Sequence, residues 1–285
     1  MIAAARDFLT EIKFEHTLFA LPFAYVAALL AAHGVPQLRI LVWITLAVVG
    51  ARTAAMAANR LLDARLDAKN PRTARRLLAS GRLAPAVMIW ACIAGLALLA
   101  LAAARLNPLC LILLPVGALA VLIYPLVKRW TWGVHFVLGA VDALAPLGAW
   151  IAVTGKFEPG AVLLFVAVTL WVAGFDVLYA LMDRDFDVRE NVRSIPARFG
   201  SAAGRRLPQV LHVLVVLALG VLGLVAAVRP LYWLGVFFAA VLVVYELRLI
   251  ARQSDFSALN HAIFNANMLF SVAFFLSTAA SVFSA

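Results

Sequence analysis

Long apolar runs alternate with short polar punctuation along most of the chain. Nine of these runs approach the roughly 20 residues an α-helix needs to cross a bilayer. They cover residues 17–33, 38–58, 85–104, 108–125, 133–153, 159–181, 207–227, 230–250 and 262–283. Gly, Pro and polar loops separate them, and no soluble domain fits between. The pattern predicts an all-α fold: a single polytopic membrane bundle over residues 1–285 with nine transmembrane helices. Residues 1–15 set Ile2, Phe8, Leu9, Ile12 and Phe14 beside charged positions, as in an amphipathic helix lying at the interface.

Composition supports the same class. Apolar residues make up 65% of the chain, charged residues 13%, and the mean hydropathy is +1.00. Soluble globular domains do not have that balance. Arg6, Asp7, Glu11, Lys13 and Glu15 interrupt the first fifteen residues, so no cleavable leader is expected. The net charge of +10 does not point to nucleic acid, because basic residues gather in membrane loops for topological reasons. With the N-terminus inside, 19 of the 24 Lys and Arg fall on inner segments and 4 on outer loops; Arg52 lies within a span. A cytoplasmic N-terminus in the cell's inner (cytoplasmic) membrane follows. Cys92 and Cys110 fall in spans and read as structural thiols. Spans 1–4 and 5–8 share a weak likeness, which suggests two loosely related four-helix halves plus a ninth helix.

In each half the second span runs out into an acidic stripe. Asn59, Asp63 and Asp67 recur every four residues and stack on one helix face. Asp176, Asp183 and Asp187 do the same at intervals of seven and four, with Tyr179 between them, while Asp185 points elsewhere. Charge counting places both stripes on the cytoplasmic side. Facing rows of carboxylates repel by an amount on the order of several kcal/mol near a low-dielectric wall, so a cation is expected between them. Oxygen ligands without Cys or His suit a hard ion, Mg²⁺ before Zn²⁺, and such an ion commonly shares its shell with substrate phosphates. Spacing alone leaves a second option open, in which the acids simply balance the neighbouring arginines.

The two stripes resemble the aspartate-rich signatures of the UbiA family of intramembrane prenyltransferases. The first, N-x-x-x-D-x-x-x-D, is met by Asn59, Asp63 and Asp67; the second, D-x-x-Y-x-x-x-D-x-x-x-D, by Asp176, Tyr179, Asp183 and Asp187. Surrounding words match as well: residues 14–24 in span 1, Asn70-Pro71-Arg72-Thr73-Ala74 after the first stripe, and Ser194-Ile195-Pro196-Ala197-Arg198-Phe199-Gly200 after the second. Two positions depart from the family. Arg60 stands where some members carry Asp, and Ala79 where Pro is common.

The resemblance implies an enzyme in which Mg²⁺, held by Asn59, Asp63, Asp67, Asp176, Asp183 and Asp187, neutralises the diphosphate leaving a polyprenyl diphosphate. The allylic cation then alkylates a ring carbon of an aromatic acid. By family position Arg72 and Lys128 hold the diphosphate, with Arg129 and Arg198 as further candidates. Asp63, Asp183, Tyr179 and Arg52 are the catalytic candidates. The likeness is nearest the branch serving ubiquinone or menaquinone synthesis, with 4-hydroxybenzoate first and a dihydroxynaphthoate second as acceptor.

Arg52 sits seven residues before Asn59 on the same face, and the family has an arginine there. An arginine within a span marks function by default. It could clamp the acceptor's carboxylate, or orient Asp63 or the opposite stripe. Asp142 in span 5 could shape the acceptor pocket, pair with Arg52, or be a protonated acid bonded to a neighbouring backbone. His16, His135 and His261 could be pocket residues, with polar interface residues the preferred reading. Phe19, Phe23 and Trp150 could line a tunnel for the isoprenoid. A transporter is the rival class, but it calls for acids deep in several spans. A phosphatidyltransferase needs a D-G-x-x-A-R core, which this chain lacks.

Overall fold

The computed structural model describes residues 2–13, 15–252 and 256–284, without the side chains of 2–6, 15–19, 256–257 and 260. His16 and Phe19 therefore lie outside the described side chains. Every regular element among the described residues is a helix. In chain order they are α1 (Ile2–Glu11), α2 (Glu15–Ala31), α3 (Leu38–Lys69), α4 (Pro85–Leu106), α5 (Pro108–Val127), α6 (Val134–Thr154) and α7 (Pro159–Ala180). A 3₁₀ turn, Leu181–Asp183, leads into α8 (Arg184–Arg189), and α9 (Ile195–Val225), α10 (Pro230–Arg252) and α11 (Phe256–Phe283) follow.

Among the described residues, eight helical segments are long and apolar enough to cross a membrane. The remaining expected crossing, 17–33, falls on α2, 17 residues long and set among the other helices. Ala24, Val26, Ala27 and Ala28 are fully buried, and α3, α6 and α11 pack around it. Successive helices pack against one another in chain order, and α11 closes the ring against α2. Phe23 of α2 meets Trp171 of α7 at 4.9 Å and Phe270 of α11 at 5.7 Å between ring centroids.

Local sequence explains the helix boundaries. Pro opens α4, α5 and α7 in the first turn, where its missing N–H costs nothing. Asn107 caps α5, its Oδ1 accepting from the Cys110 N–H at 3.0 Å. Gly50 and Gly95 let α3 and α4 approach closely: a Cβ at Gly50 would lie 2.7 Å from the Gly95 carbonyl oxygen. The amphipathic α1 ends on the protein. Glu11 is buried and accepts from the N–H groups of Leu77 (2.9 Å) and Leu78 (3.3 Å), and Arg60 donates to the Glu11 carbonyl at 3.0 Å.

Candidate active site

One end of the bundle gathers the C-terminus of α3, the loop after it, the junction of α5 and α6, and the turn between α7 and α9. A cleft of about 280 Å³ opens there. All six residues of the two stripes line it, together with Tyr179, Arg72 and Lys128. The first stripe rides on an unbroken helix. The second departs from the expected single helix. Asp176 is on α7, Asp183 ends the 3₁₀ turn and Asp187 is on α8, yet all three face the cleft. Asp185 points out and is 88% exposed.

Each stripe is gripped by side chains from elsewhere. Lys128 Nζ lies 2.5 Å from Asp63 Oδ2, and Arg76 Nη1 lies 2.6 Å from Asp67 Oδ2. Asn59 donates to Asp63 Oδ2 at 3.2 Å and accepts from Arg60 Nη1 at 3.1 Å, so the unusual Arg60 ties α1 to the stripe.

The Asn70-Pro71-Arg72 word has a mechanical reading. The Asn70 side chain accepts from the Arg72 N–H at 2.9 Å, folding the chain back as an Asx turn, and donates to Asp183 Oδ1 at 2.9 Å. Arg72 is thereby aimed at Asp183 and holds both carboxylate oxygens, Nε donating at 2.9 and 3.1 Å and Nη2 adding a further bond. Its guanidinium also lies 5.8 Å from the centroid of the Tyr179 ring. Burial opposes the Arg72 charge, but Asp183 more than offsets this, so its pKa lies above the ordinary value. The Ser194-Ile195-Pro196 word works similarly. Ser194 caps α9, accepting from the Ala197 N–H at 3.3 Å, and donates its hydroxyl to Asp187 at 2.8 Å.

His135 takes the less favoured of its two readings, that of a pocket residue: it is 2% exposed, lines the cleft, and its Nδ1 lies 2.6 Å from Asp176. Its Nε2 accepts from the Ile195 N–H at 3.2 Å, so Nδ1 carries the proton and donates to Asp176. Arg193 and Arg76 also line the cleft and were not singled out from the sequence. Conversely, Arg129 donates to the Leu62 carbonyl at 2.8 Å and Arg198 is exposed; neither lines the cleft. Trp150 is packed in the core, donating to Glu158 at 2.9 Å, and lines none of the cavities at the site.

Tyr179 also belongs to a second, smaller cavity of about 60 Å³ walled by Phe23, Trp171 and Phe175. Arg52 and Asp142 line that cavity and an apolar slot of about 340 Å³ between α3, α4, α5 and α6. Arg52 is thus set apart from the stripes. Its Nη1 pairs with Asp142 Oδ1 at 2.9 Å, the pairing the sequence had left open.

Among the described residues, no three His, Cys, Asp or Glu side chains stand close enough to hold a metal. Protein cations balance the acids instead. The donor set nevertheless suits a hard cation: it is all oxygen, and Asp63 Oδ1 is buried without a hydrogen-bond partner. Lys128, Arg72 and Arg76 meanwhile stand where an anion carrying such a cation would find them.

Known proteins give the geometry its context. The sequence profile of the UbiA prenyltransferase family matches residues 20–279. The 4-hydroxybenzoate octaprenyltransferase of Marinobacter nauticus is 36% identical over 256 residues, covering 88% of this chain and 85% of its own. That of Pseudomonas entomophila is 34% identical, covering 83% and 80%. Among solved structures, an apo UbiA homolog from Aeropyrum pernix K1 superposes with a TM-score of 0.76 at 31% identity, covering 94% of this chain and 97% of that one. A UbiA homolog from Archaeoglobus fulgidus, solved bound to GPP and Mg²⁺, shares the fold with a TM-score of 0.71 at 17% identity, covering 96% and 99%. A bundle with twin acidic stripes, matched by the profile over nearly its whole length, is a transferase of prenyl groups: the chain belongs to the UbiA prenyltransferase family.

Proposed function

We propose that the protein transfers a polyprenyl group from polyprenyl diphosphate to a ring carbon of 4-hydroxybenzoate, in ubiquinone-type quinone synthesis. The observation that carries this reading is the continuity of three spaces. The acidic cleft with Arg72 and Lys128 adjoins the aromatic cavity at Tyr179, and that cavity adjoins the apolar slot at Arg52 and Asp142. A diphosphate, an aromatic ring and an isoprenoid chain need those three environments in contact. The curated relatives named 4-hydroxybenzoate octaprenyltransferase support this choice of acceptor.

In this reading Arg72 and Lys128 turn from Asp183 and Asp63 toward the diphosphate, Arg72 with its bidentate fork and Lys128 as a point charge. The carboxylates they release are the ligands for Mg²⁺, with Asn59, Asp67, Asp176 and Asp187 completing the set. When bound, Mg²⁺ supplies neutralisation of the leaving group's charge. His135 and Ser194 hold Asp176 and Asp187 in place. The Tyr179 and Phe175 rings exclude water from the cation and face it with π-density. Arg52 takes the acceptor's carboxylate.

In this reading the cleft faces the cytoplasm from the inner membrane, which the bias of basic residues toward its side of the chain supports. Thiol labelling of single cysteines introduced at positions 129 and 156 in intact cells tests this. Labelling at 129 by a membrane-impermeant reagent overturns the orientation.

The function is tested by incubating membranes containing the protein with a polyprenyl diphosphate, Mg²⁺ and each candidate acceptor. Prenylated 4-hydroxybenzoate is the expected product. Transfer only to a dihydroxynaphthoate moves the protein to menaquinone synthesis, and transfer to neither overturns the assignment.

A further inference from the structure

Asp142 of α6 and Arg52 of α3 form an ion pair at 2.9 Å, with side chains 22% and 16% exposed. They line the aromatic cavity and the apolar slot together, and among the described residues no other Asp, Glu, Lys or Arg lines either. A guanidinium offers its donors in a fork. Asp142 holds Nη1, while Nε is buried without a hydrogen-bond partner among the described residues, so Asp142 does not use all of the guanidinium's donors. Asp63, which Arg52 could have oriented, is held by Lys128 and Asn59 instead.

We infer that Asp142 is an internal competitor for the acceptor's carboxylate, tempering the affinity of Arg52 for it. The inference rests on the reading above, in which an aromatic acid enters beside Arg52. The Arg52–Asp142 pair is neutral, which makes an arginine tolerable inside a span when no acid is bound. An incoming carboxylate must either displace Asp142 or share the guanidinium with it. Both routes weaken binding, because like charges repel strongly in a poorly screened site. A neutral phenol meets no such opposition. The prenylated product keeps the same carboxylate, so the tempering also helps it leave, a step that often limits turnover. Asp142 is therefore a specificity-determining residue acting through Arg52.

The test uses the full chain in detergent and measures calorimetric binding of 4-hydroxybenzoate and of uncharged 4-hydroxybenzamide, without prenyl donor. Asp142→Asn keeps a group able to accept from Nη1 and removes the charge. It is expected to bind the acid about tenfold more tightly and the amide unchanged. In turnover the acceptor KM falls and kcat does not rise. Acid affinity that is unchanged or weaker overturns the inference. If Asp142→Asn does not accumulate in membranes, Asp142→Ser carries the same expectation. Arg52→Gln separates the two layers. If it binds the acid as tightly as the parent, the role of Arg52 falls and the competitor with it. If it loses the preference for acid over amide while Asp142→Asn binds no tighter, the competitor alone falls.

Discussion

Two histidines in this protein look alike and do opposite things. His135 and His212 are 2% and 3% exposed, and each holds a carboxylate oxygen at 2.6 Å through Nδ1. The difference is the backbone group at the other nitrogen. His135 Nε2 meets an N–H, that of Ile195, so the ring is neutral and donates to Asp176. His212 Nε2 meets the carbonyl of Trp171 at 3.3 Å and must donate to it. The one proton shared at Nδ1 and Glu246 then leaves a pair that is neutral as a whole. The surroundings follow suit. Asp176 is 28% exposed and opens on the cleft, whereas Glu246 is 6% exposed beside a gap of only about 20 Å³. A carboxylate becomes available for chemistry when its partner leaves one face open and can be exchanged; enclosed on all sides, it holds helices together.

That contrast can be broken experimentally. The largest effects belong to the open acids. Asp63→Ala and Asp183→Ala should each lower turnover by roughly a thousandfold or more, with melting in detergent little changed. Turnover near the parent's in either variant would remove the cleft acids from the mechanism. Stripping divalent ions with a chelator should have an equally large effect, restored by Mg²⁺ in the parent and not in Asp183→Ala.

Next come the histidines. His135→Ala should lower kcat by about 10–100-fold, as loss of a ligand's supporting partner commonly does, with little change in melting. His212→Leu should do the reverse, costing about 3–5 kcal/mol of stability by stranding Glu246, while both KM values hold. The double variant His212→Leu/Glu246→Leu should regain most of that loss, because apolar side chains replace a buried pair well. Equal kinetic damage from both single histidine variants would erase the distinction. Smallest of all, Arg129→Ala and Arg198→Ala should stay within about twofold of the parent in turnover, as surface changes usually do.

The same contrast explains what could be read in advance. The first stripe was legible because a four-residue repeat on one helix is a local pattern. The words around Asn70 and Ser194 were legible only through their likeness to the family; their turns are local, but their bonds to Asp183 and Asp187 needed the fold. The 3₁₀ turn was not foreseen, since its residues, Leu181, Met182 and Asp183, carry no breaker. His135 stood only as one of two alternatives because its partners lie 41 and 60 residues away. A signal existed: it opens a span at the membrane level of the stripes, where a buried polar group needs an acid. Arg129 and Arg198 lie outside the cleft lining, and position in the sequence does not separate basic residues that serve topology from those that face an anion.

One consequence of the Gly50–Gly95 contact reaches far from the cleft. α3 is a single rod of 32 residues, about 48 Å long at the usual helical rise. It touches α4 backbone to backbone near its middle and carries the first stripe toward one tip. Any side chain wedged in at Gly50 has nowhere to go but to tilt the rod, and a small tilt at the pivot grows toward the tip. A lesion in the greasy middle of the protein would then look, in an assay, like damage to the aspartates at the cleft.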